Sequence, residues 1–112
     1  MAILSSRSPV HPIIREKIPG ITRIARRRRV KRLAVFGSAT GDRFDPTASD
    51  LDFVVEFKPM TPVEHAEAYF GLAEDLARLF CREIDLIELS AIRNPIFREV
   101  VEETRRDVYA VA

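Results

Sequence analysis

Apolar positions recur at helical spacing in one long stretch and in strand-like runs at three short ones. The helical stretch follows Thr61, where Ala66, Tyr69, Phe70, Ala73, Leu76, Ala77 and Phe80 form a single stripe. Thr61 can cap this helix, Pro62 suits its first position, and Glu64 completes a capping box. The strand-like runs are Arg32–Phe36, stopped by Gly37, then Leu51–Phe57, closed by Pro59, and about Glu83–Leu89. A short helix is expected over Ile13–Ile18, ended by Pro19–Gly20. A second runs from Ile21 to about Arg29, with Ile21, Ile24 and Ala25 on one face. Asn94 can cap a last helix, with Pro95 at its first position and Phe97, Val100, Val101, Thr104 and Val108 as its apolar face. The stretch 38–49 is polar and rich in Gly, Asp and Pro, so it predicts a loop with room for one helical turn. Residues 1–12 read as a flexible tail, broken by Pro9 and Pro12. The order helix, strand, loop, strand, helix, strand, helix predicts an α/β (α+β) domain. Its sheet should be small and mixed, with three or more strands and helices mainly on one face.

Composition narrows the class. With 112 residues, 46% of them hydrophobic, the chain can build one core, and the expectation is a single domain over 1–112. The apolar share and the net charge of +1 exclude an intrinsically disordered chain. No apolar run approaches the ~20 residues that span a bilayer, and the first residues lack an apolar signal core. No internal repeat or low-complexity segment divides the chain. A soluble cytoplasmic protein is therefore expected. Cys81 is the one cysteine, so an internal disulfide is excluded, and it reads as a small buried hydrophobe.

The near-zero net charge hides a division. Residues 1–37 carry ten Lys and Arg against Glu16 alone, whereas residues 38–112 carry eight basic and sixteen acidic residues. The run Arg26–Arg29 has two readings: a patch for nucleic acid or an acidic partner, or the solvated end of a helix whose dipole favours cations there. No aromatic residues interleave the run as stacking platforms, which argues against nucleic acid. His11 and His65 lack partners at metal-ligand spacing and carry no role in the chemistry.

That chemistry is concentrated between Val35 and Val55. A strand ends in Gly37–Ser38, where a glycine lets backbone approach a phosphate closely and a serine can offer its hydroxyl and N–H groups to an anion. Asp50 and Asp52 stand two apart at the start of the next strand. Side chains alternate along a strand, so both carboxylates project to one side, roughly 7 Å apart. Two carboxylates so placed can bracket one or two Mg²⁺ ions, which prefer oxygen ligands and nucleotide phosphates.

Gly-Ser, about a dozen residues, then Ser-Asp-x-Asp followed by Val-Val resembles the signature of the DNA polymerase β-like nucleotidyltransferase superfamily. The chain is most similar to its minimal nucleotidyltransferases, with the resemblance covering Ile21 to about Tyr109. The third carboxylate of that family lies on the strand after the intervening helix, between two apolar residues. Asp85, between Ile84 and Leu86, matches it, with Glu83 and Glu88 as nearby rivals. One feature departs from the pattern: only Ala39 and Thr40 separate Ser38 from Gly41, and Thr40 stands where arginine is common. Arg43 is the candidate to take that arginine's place.

The resemblance implies the polymerase β-like fold and transfer of a nucleoside monophosphate from a triphosphate, ATP, to a hydroxyl. By position, Gly37 and Ser38 would hold the β- and γ-phosphates. Asp50 and Asp52 would ligate Mg²⁺, two ions with Mn²⁺ as a substitute, bridging the triphosphate and the leaving pyrophosphate. Asp85 would ligate the catalytic metal and help deprotonate the acceptor. The resemblance also implies a helical HEPN-type toxin as partner, adenylylated on a tyrosine by this chain acting as antitoxin. Self-association into a homo-oligomer is compatible with it, and no membrane is involved. The alternative is a binding-only antitoxin that keeps the fold and neutralises by occlusion, its nucleotide site vestigial.

Overall fold

The computed structural model describes residues 10–37 and 50–111. Helices α1 (Pro12–Arg15) and α2 (Ile18–Arg27) lead into strand β1 (Val30–Phe36). Strand β2 (Leu51–Phe57), helix α3 (Pro62–Phe80) and strand β3 (Ile84–Glu88) follow. A 3-10 turn at Leu89–Ala91, helix α4 (Pro95–Thr104) and strand β4 (Arg106–Ala110) complete the described chain. The sheet order is β3-β2-β1-β4. β1 is antiparallel to both β2 and β4, while β2 and β3 are parallel and joined by α3. Parallel neighbours need a crossover of this length, and α3 supplies it.

The two faces of the sheet differ. Leu33, Val35, Leu51, Phe53, Val55, Leu86 and Val108 pack with Ile21, Ile24 and Ala25 of α2 and Leu72, Leu76 and Phe80 of α3. On the opposite face Ala34, Phe36 and Val54 meet Val101 of α4, with Ile87, Leu89 and Ile92 at the margin. Three helices thus cover one face and α4 the other. The mixed sheet with helices mainly on one face, expected from the sequence, is the architecture found.

α3 begins as its sequence predicts. Thr61 Oγ1 accepts from the Glu64 N–H at 3.2 Å, and Glu64 Oε1 accepts from the Thr61 N–H at 3.0 Å. Four expectations are corrected. Pro19 and Gly20 do not end a helix. Pro19 sits in the first turn of α2, where its missing N–H has no partner to lose. Pro12, the last residue of the expected tail, instead opens α1, where His11 Nδ1 caps it and Ile14 is fully buried. The last helix stops at Thr104, since Arg105 is extended (φ −65°, ψ 143°), and Val108 lies on β4. Cys81 is exposed, not buried, and takes the left-handed conformation (φ 53°) that closes α3.

The arginine run is largely consumed by α3. Asp75, 7% exposed, accepts from Arg27 Nη2 at 3.1 Å and from Arg28 Nε at 2.8 Å. Arg29 pairs with Glu64 at 3.2 Å. Gly71 leaves the gap in which the Arg28 guanidinium lies, for a Cβ there would fall 2.4 Å from Arg28 Cζ. The run is thus the solvated end of a helix, with Arg26 and Arg27 in the last turn of α2, and it also clamps α2 to α3, which its sequence did not show.

Candidate functional site

β2 brings Leu51, Phe53 and Val55 to the main core, so Asp52 between them faces the α4 side. β3 does the same with Asp85, which follows Ile84 and precedes the buried Leu86. The parallel register pairs Asp52 directly with Asp85, and the antiparallel register pairs Asp52 with Phe36. Neighbouring strands lie roughly 4.8 Å apart, so the two carboxyl groups are side by side. Asp50 has the same parity as Asp52 and is exposed at the entrance to the strand. Asp52 and Asp85 on adjacent strands, with Asp50 just before β2, thus share one corner of the sheet on the α4 face.

Electrostatics mark Asp52 as the inner member. Partial burial acts first, then the charge of Asp85, a hydrogen bond with it, and the charge of Asp50; together they push the Asp52 carboxyl up to about 6. Asp75 shows the contrast. Burial alone would raise it, but the bonds from Arg28 and Arg27 outweigh burial and hold its carboxyl below the ordinary value. Among the described residues, the groups that act on Asp52 are burial and two other carboxyls, with no cation to offset them.

Gly37 forms the floor of this corner. Its φ is +70°, and a Cβ added there would lie 3.1 Å from Asp52 Oδ2. Its N–H donates to Thr104 Oγ1 at 3.2 Å, and Thr104 in turn donates to the Val100 carbonyl at 2.8 Å. Phe36, one residue earlier, meets Phe97 of α4 edge-on with ring centroids 6.0 Å apart. Thr104 has no counterpart among the residues singled out by chemistry, because in sequence it reads only as one more position of an apolar helix face. Ser38, and with it Ala39, Thr40, Gly41 and Arg43, lies outside the described residues.

The donor set suits a hard divalent cation. Among the described residues no three His, Cys, Asp or Glu side chains close into a ready-made metal cage. Asp52 and Asp85, with Asp50 at the mouth, instead offer a pair of close carboxylates and leave positions for other oxygens. That is the usual manner of Mg²⁺, which takes one or two carboxylates and completes its shell with phosphates and water. The neighbouring rivals of Asp85 are placed elsewhere. Glu88 Oε1 accepts from His65 Nε2 at 2.7 Å at the other end of β3, and Glu83 precedes the strand. A cavity of about 400 Å³ beside this His65–Glu88 pair, reaching Lys58 and Arg98, includes none of the three aspartates.

The model of the nucleotidyltransferase domain family matches residues 18–108, which takes in every described element except α1 and the last residues of β4. Solved structures with the same fold include a protein described as a minimal nucleotidyltransferase. It is 25% identical, with a TM-score of 0.58 over 90% of this chain and 97% of that one. A toxin–antitoxin complex with AMP-PNP is 19% identical, with a TM-score of 0.61 over 84% of this chain and 73% of that chain. A tri-AMPylated HEPN toxin from Shewanella oneidensis in complex with an MNT antitoxin is 18% identical, with a TM-score of 0.59 over 88% and 73%. Comparison with curated proteins gives no significant match. Among the described residues no helix is long and apolar enough to cross a membrane.

Proposed function

The chain belongs to the nucleotidyltransferase domain family, and we propose that it transfers AMP from ATP to a hydroxyl, a tyrosine, on a HEPN-type toxin that it neutralises as an antitoxin. The observation that carries the reading is the pairing of Asp52 with Asp85 across the parallel strands β2 and β3, with Asp50 and Gly37 at the same corner. The fold shared with the AMP-PNP-bound and tri-AMPylated complexes supports the nucleotide and the acceptor.

In this reading Asp50, Asp52 and Asp85 hold Mg²⁺, and Gly37 with Ser38 receives the β- and γ-phosphates. The bound metal supplies charge neutralisation for the triphosphate and for the pyrophosphate as it leaves. Asp85 lies on the edge strand and is exposed, so an acceptor hydroxyl can approach it from solvent. Its carboxylate takes the hydroxyl proton while the oxygen bonds to the α-phosphorus. The bond from that phosphorus to the bridging oxygen breaks, and pyrophosphate departs. The remaining contribution is positioning, which accounts for much of the catalysis in phosphoryl-type transfer.

Calorimetric titration tests the site. ATP should bind only with Mg²⁺ or Mn²⁺ present, and binding should weaken sharply in Asp50→Asn and Asp52→Asn. Equal affinity in wild type and both variants would contradict the assignment.

A further inference from the structure

The Gly37 N–H is held by a side chain from the far end of the chain, on a helix that contributes no carboxylate to the site. Thr104 is the last residue of α4, and its hydroxyl works in both directions. It donates to the Val100 carbonyl at 2.8 Å and accepts from Gly37 at 3.2 Å. The first bond is the familiar back-bond of threonine to the preceding helical turn, and it fixes where the oxygen's lone pair points. The second fastens the residue after β1 in a left-handed conformation, φ +70°. That residue is the one at which an added Cβ would lie 3.1 Å from Asp52 Oδ2. Phe97, on the same helix, packs edge-on against Phe36 and supports the adjoining residue.

We infer that Thr104 is a positioning residue: its hydroxyl latches the end of β1 to α4 and so sets the distance between Gly37 and Asp52. The inference rests on the nucleotidyl-transfer reading of that corner. Displacement of Gly37 toward Asp52 would press backbone against the carboxylate, and displacement away would loosen the corner. Because the Gly37 N–H is taken by Thr104, Gly37 serves the nucleotide through shape. The latch acts alike on bound nucleotide and transition state, so its loss belongs in KM and leaves kcat nearly unchanged.

Thr104→Val keeps the branched shape and removes both hydrogen bonds, whereas Thr104→Ser keeps both. In the full-length Val variant, exchange of the Gly37 amide should accelerate about fivefold. The KM for ATP with Mg²⁺, and the dissociation constant of a non-hydrolysable ATP analogue, should rise by about the same factor. kcat should stay within about twofold, and the Ser variant should behave as wild type. Thr104→Ala, which deletes the hydroxyl with a smaller side chain, must reproduce the effect if the Val variant folds poorly. A purely structural role would lower the melting temperature of the Val variant and leave nucleotide affinity unmoved, which would overturn the inference. So would unchanged Gly37 exchange. A wild-type chain that binds no ATP with Mg²⁺ would instead overturn the nucleotidyl-transfer reading, and the positioning role with it.

Discussion

The Cβ that Gly37 lacks would lie 3.1 Å from Asp52 Oδ2, so the residue that follows β1 and the inner carboxylate of the site define each other's space. Two independent conditions therefore require glycine at position 37: the left-handed φ and the absence of a side chain against the carboxylate. Gly37→Ala should lose roughly 1–2 kcal/mol of stability through the backbone alone. It should also push Asp52 from its place and weaken Mg²⁺-dependent ATP binding by more than the stability loss explains. Thermal melting and calorimetry on the same sample separate the two effects.

Asp52 gives the protein a pH dependence with a definite sign. Its folded-state carboxyl titrates at about 6, above the ordinary value, because burial and the neighbouring Asp85 and Asp50 disfavour its charge. A raised acid favours the folded state only while protonated. Its penalty is absent below pH ~4, grows as pH rises toward 6, and is constant above. Without metal, Asp52→Asn should therefore be more stable than wild type at pH 7.5, by on the order of 1–2 kcal/mol after solvent screening is allowed for. The two should converge near pH 4. Adding Mg²⁺ should raise the melting temperature of wild type and not of the variant, and the wild-type response should fade below pH 6 as the ligand protonates.

The clamp between α2 and α3 has the opposite sign. Asp75 is held below its ordinary value by Arg28 and Arg27, whose bonds outweigh the effect of burial. Its stabilisation is complete above the unfolded value and is lost as pH falls through the folded one. Asp75→Asn should cost roughly 1–3 kcal/mol at pH 7, and the difference should begin to shrink only below pH ~4, as pH falls toward the lower folded value. Gly71→Ala would drive the Arg28 guanidinium from its gap. It should cost less than Asp75→Asn, because alanine recovers about 1 kcal/mol of helix propensity and the arginine side chain can swing to solvent. Neither change should alter ATP binding, since both lie on the face away from Asp52. Denaturation curves across pH, with calorimetry at pH 7.5, check both statements.

Local signals made most of this fold legible. Thr61, Pro62 and Glu64 announce α3, and Gly37 and Pro59 stop β1 and β2 where their sequence says they should. The shared face of Asp52 and Asp85 was legible too, because each sits between apolar residues that fix its side of the sheet. What failed depends on contacts distant in the chain. Arg106–Ala110 continues the helical spacing Val100, Thr104, Val108, yet it forms a strand because β1 offers it a free edge, with Val35 opposite Arg106. Pro19 is compatible with either end of a helix, and the burial of Ile21 and Ile24 decides for the start. The fate of Arg27 and Arg28 turns on Asp75, 48 and 47 residues away. Thr104 stayed hidden for the same reason, since its partner Gly37 is 67 residues earlier.

Intact-mass measurement of the HEPN-type partner, after incubation with this chain, ATP and Mg²⁺, tests the central claim most directly. The account expects one or more AMP additions on a hydroxyl side chain of the partner. Asp85→Asn should abolish the addition while the complex still forms, because that carboxylate acts in the transfer step and not in docking. A partner that gains no mass, yet is still neutralised by a chain lacking Asp50, Asp52 and Asp85 together, would contradict the account and leave a binding-only antitoxin in its place.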